Sequence, residues 1–345
     1  MVNQTPQGII GLHRQFLRLL TAGGLFVFTL MPGANADERS FDEIVQSIVT
    51  VHAEIPANAR TAQSLGMERL GNGIVIDDQG LILTIGYIIL EASKVQVNDA
   101  NSHAVPADIV AYDHNTGFGL IKAKRALGIE PVEIGISANL EVGGRALVIS
   151  RGGPRSATPV KLVSRRDFAG YWEYLLEGAL FTVPPHPHFG GAALLNGEGK
   201  LIGVGSLIVN DAFPADVPLP GNMFVPIDAL KPILPELLAN GRSNAPARPW
   251  LGIYPAERGG RVIVTRVAAG GPAQQAGIKA GDIVMGVKGR RVANVADFYR
   301  KLWAVGPAGS DVSVDVLSPE TGNLEIQSVS VKSRDRYDWL KLGPP

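Results

Sequence analysis

The residues with the most obvious chemical potential sit in one short run, Pro184-Pro185-His186-Pro187-His188-Phe189-Gly190-Gly191-Ala192-Ala193-Leu194. Two imidazoles two residues apart fall on the same side of an extended, proline-stiffened segment. They could ligate a transition metal, with His114 as a third candidate, although neither a carboxylate nor a thiolate accompanies them in the run. The same imidazoles could act as general bases. Hydrolysis through a hydroxyl nucleophile needs three parts: the hydroxyl, an imidazole to take its proton and a carboxylate to orient the imidazole. Histidines are available at 52, 103, 114, 186 and 188, serines include Ser206, and Asp113 lies near Gly117. No spacing among them gathers a serine, a histidine and an acid. The chain has no cysteine, which excludes disulfides, thiolate metal sites and cysteine nucleophiles. Asp77-Asp78 fits a turn and lacks the ligand pattern of a calcium loop. Arg165-Arg166 and Lys122-Ala123-Lys124-Arg125 read as solvated basic clusters.

These residues need a scaffold, and the composition favours a β-rich one. The 345 residues allow about two domains. Hydrophobic residues at 46% and charged residues at 19% permit a sizeable core, and the 41 glycines and 24 prolines imply many turns. The 32 basic and 32 acidic residues balance, so no nucleic-acid or anionic-membrane surface is indicated. Residues 1–36 read as an export signal. Arg14 and Arg18 precede an apolar run from Leu19 to Leu30, and Ala34-Asn35-Ala36 is a cleavage pattern. If uncleaved, the run would be a membrane anchor, though it is shorter than the roughly 20 apolar residues of a spanning helix.

Ser40, with Glu43 three residues later, predicts a capped helix over 40–48, followed by a strand from Val49. Short strands are then predicted at Gly73–Ile76, Leu81–Thr84, Lys94–Val97, Ala107–Tyr112, Phe118–Lys122 and Arg145–Ile149. A second set covers Pro159–Ser164, Tyr171–Leu176, Gly191–Leu195, Leu201–Leu207 and Asn222–Val225. This spacing suggests barrels rather than βαβ units. The aromatic run Tyr171-Trp172-Glu173-Tyr174 fits cross-strand packing, with a groove-lining role as its alternative. A helix is predicted over 228–239 with Asp228 as its cap. Residues 240–249 are rich in Gly, Pro, Ser and Asn and read as a linker. A smaller α+β unit follows over 250–333, with a helix at Val295–Val305, and residues 334–345 form a tail.

The sequence after residue 40 resembles the HtrA (DegP-like) family, in which an exported trypsin-like serine protease domain precedes a PDZ domain. Gly71-Asn72-Gly73-Ile74-Val75-Ile76-Asp77-Asp78-Gln79-Gly80-Leu81-Ile82-Leu83-Thr84 resembles the family's strand pair before its catalytic histidine. Phe224-Val225-Pro226-Ile227 resembles the close of its second barrel. Arg248-Pro249-Trp250-Leu251-Gly252-Ile253 and Gly271-Pro272-Ala273-Gln274-Gln275-Ala276-Gly277-Ile278-Lys279-Ala280-Gly281-Asp282-Ile283-Val284 resemble its PDZ motifs. The resemblance implies a mostly β fold: a chymotrypsin-like double six-stranded barrel over 40–239 and a PDZ domain over 250–333.

Carried over position by position, the resemblance puts Tyr87 where the family has its histidine, Gly117 at its aspartate and Phe189 at its serine. Pro187 then falls at the glycine whose amide serves the oxyanion hole. None of these can fill the corresponding role. A phenyl ring is no nucleophile, and a phenol with a pKa of about 10 is a poor base at neutral pH. Glycine orients nothing, and proline has no N–H.

The PDZ resemblance implies capture of a chain end as an added β-strand, its terminal carboxylate held by backbone amides. Leu251, Gly252 and Ile253 would form that loop, with Phe298 and Leu302 facing the groove or filling the core. The expected protein is an exported, periplasmic pseudoprotease without a cofactor. It would bind peptides, C-terminal tails or unfolded proteins as a scaffold, regulator or holdase, and it could form trimers. One alternative is an active serine endopeptidase with a displaced catalytic set. Another is a metal-binding adaptor using His186 and His188.

Overall fold

The computed structural model describes residues 40–319 and 325–340. The export signal expected over 1–36 lies outside them. All of the described residues fall in one compact unit. Among the described residues no helix is long and apolar enough to cross a membrane.

Ser40 caps helix α1 (Phe41–Gln46) through a complete capping box with Glu43. The chain then enters β1 (Ile48–Glu54), where Val49, Val51 and Ala53 are buried and Thr50, His52 and Glu54 are partly exposed. That alternation places one face of the strand against the core. A short helix α2 (Ala62–Leu65) leads to β2 (Glu68–Val75). Next come β3 (Leu81–Ile85), β4 (Lys94–Asn98), β5 (Ala104–Tyr112) and β6 (Phe118–Ala123). The six close into a barrel in the order β1-β2-β3-β6-β5-β4. Closure leaves no free edge, and the Val, Ile and Leu side chains fill the interior.

The second barrel comprises β7 (Arg145–Ile149), β8 (Thr158–Gly170), β9 (Tyr174–Val183), β10 (Ala193–Leu195), β11 (Leu201–Phe213) and β12 (Leu219–Pro226). It closes in the order β10-β11-β12-β9-β8-β7. Strand β8 runs on to Gly170, beyond the expected end at Ser164, and Tyr171-Trp172-Glu173 is a hairpin tip instead of part of a strand. The rings of Phe168, Tyr171, Trp172 and Tyr174 pack with centroids 5.0–6.3 Å apart, so the aromatic run does pack on itself.

The predicted helix over 228–239 is in fact two pieces. A 3-10 turn covers Ile227–Ala229, and helix α3 spans Leu234–Asn240. Asp228 caps no helix of its own. Its carboxylate accepts bonds from the Ser137 amide and hydroxyl and the Ala138 amide, tying the distant turn at 137–139 to the second barrel.

The C-terminal sheet runs β13 (Ile253–Arg258), β14 (Arg261–Val267), β15 (Ile283–Val287), β17 (Asp311–Leu317) and β18 (Gln327–Lys332), with β16 (Arg290–Arg291) paired to β15. Helices α4 (Pro272–Gln275) and α5 (Val295–Trp303) accompany it, and the Asn294 side chain caps α5. Residues 334–340, expected as part of a tail, are folded onto the rest of the chain. Trp250 and Arg334 form a β-bridge, and helix α6 (Arg336–Leu340) follows. Trp339 packs on Trp250 with ring centroids 5.0 Å apart, and Leu90 of the first barrel joins the same cluster.

Candidate active site and peptide groove

Strand β3 ends at Ile85, and the 3-10 turn Gly86–Ile88 carries Tyr87. Only glycine fits at 86: a Cβ there would lie 1.9 Å from the Tyr112 ring. The Gly86 amide donates to the Gly117 carbonyl at 2.7 Å, so the turn and the Asp113–Gly117 loop are locked together. Buried Arg69 donates to the carbonyls of Tyr87 (2.7 Å) and Leu90 (2.9 Å), which fixes the backbone of the turn. Burial lowers the Arg69 pKa to about 10. The Tyr87 hydroxyl donates to the Ser206 carbonyl at 2.9 Å, and burial pushes its pKa well above the ordinary phenol value. It is a hydrogen-bond donor here and no base.

The Asp113 carboxylate is engaged locally. Its Oδ2 accepts from the Thr116 amide (2.8 Å) and hydroxyl (2.7 Å), closing the turn. Gly117 sits at φ +83°, and a Cβ there would approach the Tyr174 hydroxyl to 3.3 Å. That conformation strains any other residue.

The loop before β10 is held from both barrels. Asn222 accepts the His186 amide at 2.6 Å and donates to its carbonyl at 3.1 Å. Asn72, on β2, donates through its side chain to the carbonyls of His188 (2.8 Å) and Gly190 (2.7 Å), and its own amide donates to Gly190. Its Oδ1 accepts the Arg151 amide. Gly191, at φ +75°, has the Asn72 carbonyl 2.1 Å from where a Cβ would stand, so this approach excludes a side chain.

The Tyr87 phenol meets the loop at the residue after Phe189. The position that faces Tyr87 is Gly190: a Cβ on it would lie 2.7 Å from the Tyr87 hydroxyl oxygen. Phe189 enters the junction through its carbonyl, which accepts the Ala192 amide at 2.9 Å and abuts Gly205.

The His186 ring is buried between two hydroxyls. Nε2 lies 2.9 Å from Ser150 Oγ and Nδ1 2.8 Å from Thr158 Oγ1. Burial and the neighbouring His188 hold its pKa below the usual histidine value. Both nitrogens are therefore engaged, and the His188 ring centroid is 6.3 Å away. Among the described residues no cluster of three or more His, Cys, Asp or Glu side chains could hold a metal ion. His114 sits between Tyr112 and Tyr337, with centroids at 4.5 and 4.2 Å, and burial lowers its pKa strongly.

In the C-terminal unit Gly252 adopts φ +79°, which aims successive amides of Leu251, Gly252 and Ile253 to one side. All three donate to the carboxylate of Glu173 from the β8–β9 tip, at 2.6–3.2 Å. Phe298 and Leu302 are wholly buried in the core of this unit and do not line an open groove. Neither Glu173, in what read as one aromatic strand, nor the Ser150–His186 pair, 36 residues apart, stood out in the sequence.

Comparison with known proteins agrees with this architecture. The trypsin-like peptidase domain family matches residues 71–204, and the PDZ domain family matches 249–332. A protein named "Probable periplasmic serine endoprotease DegP-like" from Pseudomonas fulva is 25% identical over 281 residues, 76% of this chain and 57% of its own length. "Serine protease PepD" from Mycobacterium tuberculosis is 24% identical over 325 residues, 86% of this chain and 67% of its own. This chain thus spans little more than half of the Pseudomonas protein. Among solved structures, the serine endoprotease from Yersinia pestis aligns with a TM-score of 0.50 and 22% identity, covering 86% of this chain and 98% of the other. With its two barrels and its PDZ sheet, this chain combines a trypsin-like peptidase domain with a PDZ domain and is similar to HtrA-type proteins in both.

Proposed function

We propose that this protein is an exported, periplasmic HtrA-type pseudoprotease that binds peptides or unfolded polypeptides through its PDZ domain, as a scaffold, regulator or holdase. The observation that carries this reading is the Tyr87–Gly190 juxtaposition. Whichever of Phe189 and Gly190 is matched to the nucleophile, it brings no hydroxyl. The residue opposite is a phenol committed to a carbonyl, with glycine at 117 where an orienting carboxylate is needed. The PDZ loop retains three convergent amides able to hold a carboxylate. The periplasmic location rests on the export-like N-terminus and on the description of the Pseudomonas relative. Assembly as a trimer would follow the family habit.

The test is incubation of the purified chain with an unfolded protein substrate and, separately, with a fluorophosphonate probe. No cleavage and no labelled serine is the expected result. A serine whose labelling disappears on substitution by alanine would overturn the reading.

One observation favours a second reading, an active peptidase with a displaced set: the 2.9 Å contact between His186 Nε2 and Ser150 Oγ. Against it, Thr158 occupies the far side of the ring in place of a carboxylate, and Ser150 is 1% exposed. A threonine hydroxyl carries no charge to stabilise an imidazolium. Probe labelling lost in Ser150→Ala would establish this reading instead.

A further inference from the structure

A PDZ-type site has two demands on its ligand: a carboxylate for the amide loop and an aliphatic side chain for the adjoining apolar pocket. In this chain both demands are met from within. The tip of the β8–β9 hairpin brings Glu173 to the loop, in a left-handed conformation with φ 54°. Its Oε1 accepts from Gly252 at 2.6 Å and Ile253 at 2.8 Å, and its Oε2 accepts from Leu251 at 3.0 Å. Two residues on, Leu175 is buried in the same apolar cluster as Leu251, Ile253, Phe298 and Leu302. Strand β13 forms the end of its sheet, paired to β14 alone among the described strands, so the edge where a peptide strand would add is unpaired.

The hairpin is clamped as well as inserted. Tyr299 of α5 donates its hydroxyl to the Gly170 carbonyl at 2.7 Å and accepts the Glu173 amide at 3.1 Å. Arg336 donates to the Trp172 carbonyl at 3.0 Å, and Arg300 pairs with Asp167. A contact that served cohesion alone would be made at lower cost by an apolar residue. Burying a carboxylate is expensive unless its oxygens are fully bonded, and here the amide loop bonds them.

We propose that Glu173 and Leu175 are an internal stand-in for a polypeptide C-terminus. The groove then accepts free chain ends with an aliphatic last residue only when the β8–β9 hairpin withdraws. This rests on the peptide-binding reading above and adds the identity of the competitor and the class of ligand.

The experiment uses the full chain and a fluorescein-labelled octapeptide ending in Val-Leu, with either a free carboxylate or a terminal amide, read by anisotropy. In Glu173→Ala the free acid is expected to bind about tenfold more tightly or better than in wild type, because self-occupancy no longer depletes the competent state. The amide should gain nothing. Tyr299→Phe keeps Glu173 but loosens the clamp, and is expected to show a smaller gain in the same direction. A third measurement needs no variant. Saturating free-acid peptide on the wild-type protein should raise hydrogen exchange at the amides of residues 171–175.

Equal and measurable affinity of wild type and both variants would overturn the internal-ligand proposal and leave peptide binding standing. So would a hairpin that stays protected at saturation. Absence of binding to any of the three proteins would overturn both this proposal and the peptide-binding reading.

Discussion

Tyr87 and Gly190 face each other across the seam of the two barrels, the phenol oxygen 2.7 Å from the point where Gly190 would carry a Cβ. The first barrel delivers the phenol on the turn after β3, and the second delivers the glycine on the loop before β10. Each excludes the machinery of the other: the glycine makes room for the phenol, and the phenol leaves no room for a serine.

That steric relationship predicts the behaviour of Gly190→Ser. Gly190 does not have a positive φ, so crowding against Tyr87 is the main obstacle, and the phenol is anchored on Ser206. The substitution should destabilise the chain by about 1–3 kcal/mol, the usual range for overpacking. Adding Tyr87→Ala should recover part of that loss. A double-mutant cycle from denaturant melts checks it; strict additivity would show that the two residues do not compete for the space.

Asn72 spans both barrels, with its side-chain amide donating to His188 and Gly190 and its oxygen accepting from Arg151. It is 1% exposed. Asn72→Asp keeps the shape and replaces a double donor with acceptors, so the His188 and Gly190 carbonyls lose the side-chain donor and meet a negative charge. A loss of about 2–4 kcal/mol is expected, growing as the carboxylate ionises. Urea melts at pH 4 and pH 7 measure both the size and the pH trend. A wild-type midpoint at both pH values would remove Asn72 as the organiser of the loop.

The frame was legible in the sequence because local rules and distant packing agree there. Ser40 with Glu43 specifies a cap, and the strands expected at Gly73–Ile76 and Leu81–Thr84 pair across their turn; both form where expected. The site was legible only as a set of absences. Two adjacent glycines look alike in sequence, and the Asn72 and Tyr87 contacts show that Gly190 is the one that faces the seam. Glu173 was hidden for another reason. An acid between Trp172 and Tyr174 looks like the solvent face of a strand, and its partners lie 78–80 residues away. The short run from Arg336 to Leu340 is too brief for a periodic signal, so α6 read as tail.

Glu173 also predicts a pH dependence. Burial raises its pKa from 4.5 to about 7, outweighing the three loop amides and the Arg336 guanidinium, which pull it down. The Tyr299 phenol packs on the same tip, and Asp113, His114 and Arg248 line the adjoining cleft. When the hairpin withdraws, the carboxyl returns towards its ordinary value. The docked state therefore binds the extra proton, and docking weakens as pH rises between 4.5 and 7, by at most about tenfold per pH unit. A free-acid peptide, ionised throughout this window, should bind more tightly at pH 8 than at pH 5. In Glu173→Ala that difference should shrink to the peptide's own small dependence. Anisotropy titrations at the two pH values decide it; an unchanged difference in the variant would assign the effect to another group.

Helix α6 ties the PDZ sheet to the first barrel, and Trp339 is its anchor. The indole is 6% exposed, lies against Trp250, and carries the Arg60 guanidinium 3.7 Å above its ring. On the same short helix Tyr337 donates to the Tyr112 carbonyl at 2.6 Å, and Arg336 reaches the Trp172 carbonyl beside Glu173. Trp339→Ala removes a large buried ring from a junction that cannot collapse without moving two domains, and should cost about 3–5 kcal/mol. Because the same helix steadies the hairpin tip, the loss should appear in two places. The urea midpoint should fall, and the 240–249 segment should become more sensitive to limited proteolysis as the PDZ unit detaches. A lowered midpoint with unchanged cleavage at 240–249 would place Trp339 in the local packing of α6 alone and leave the docking to Tyr299 and Glu173.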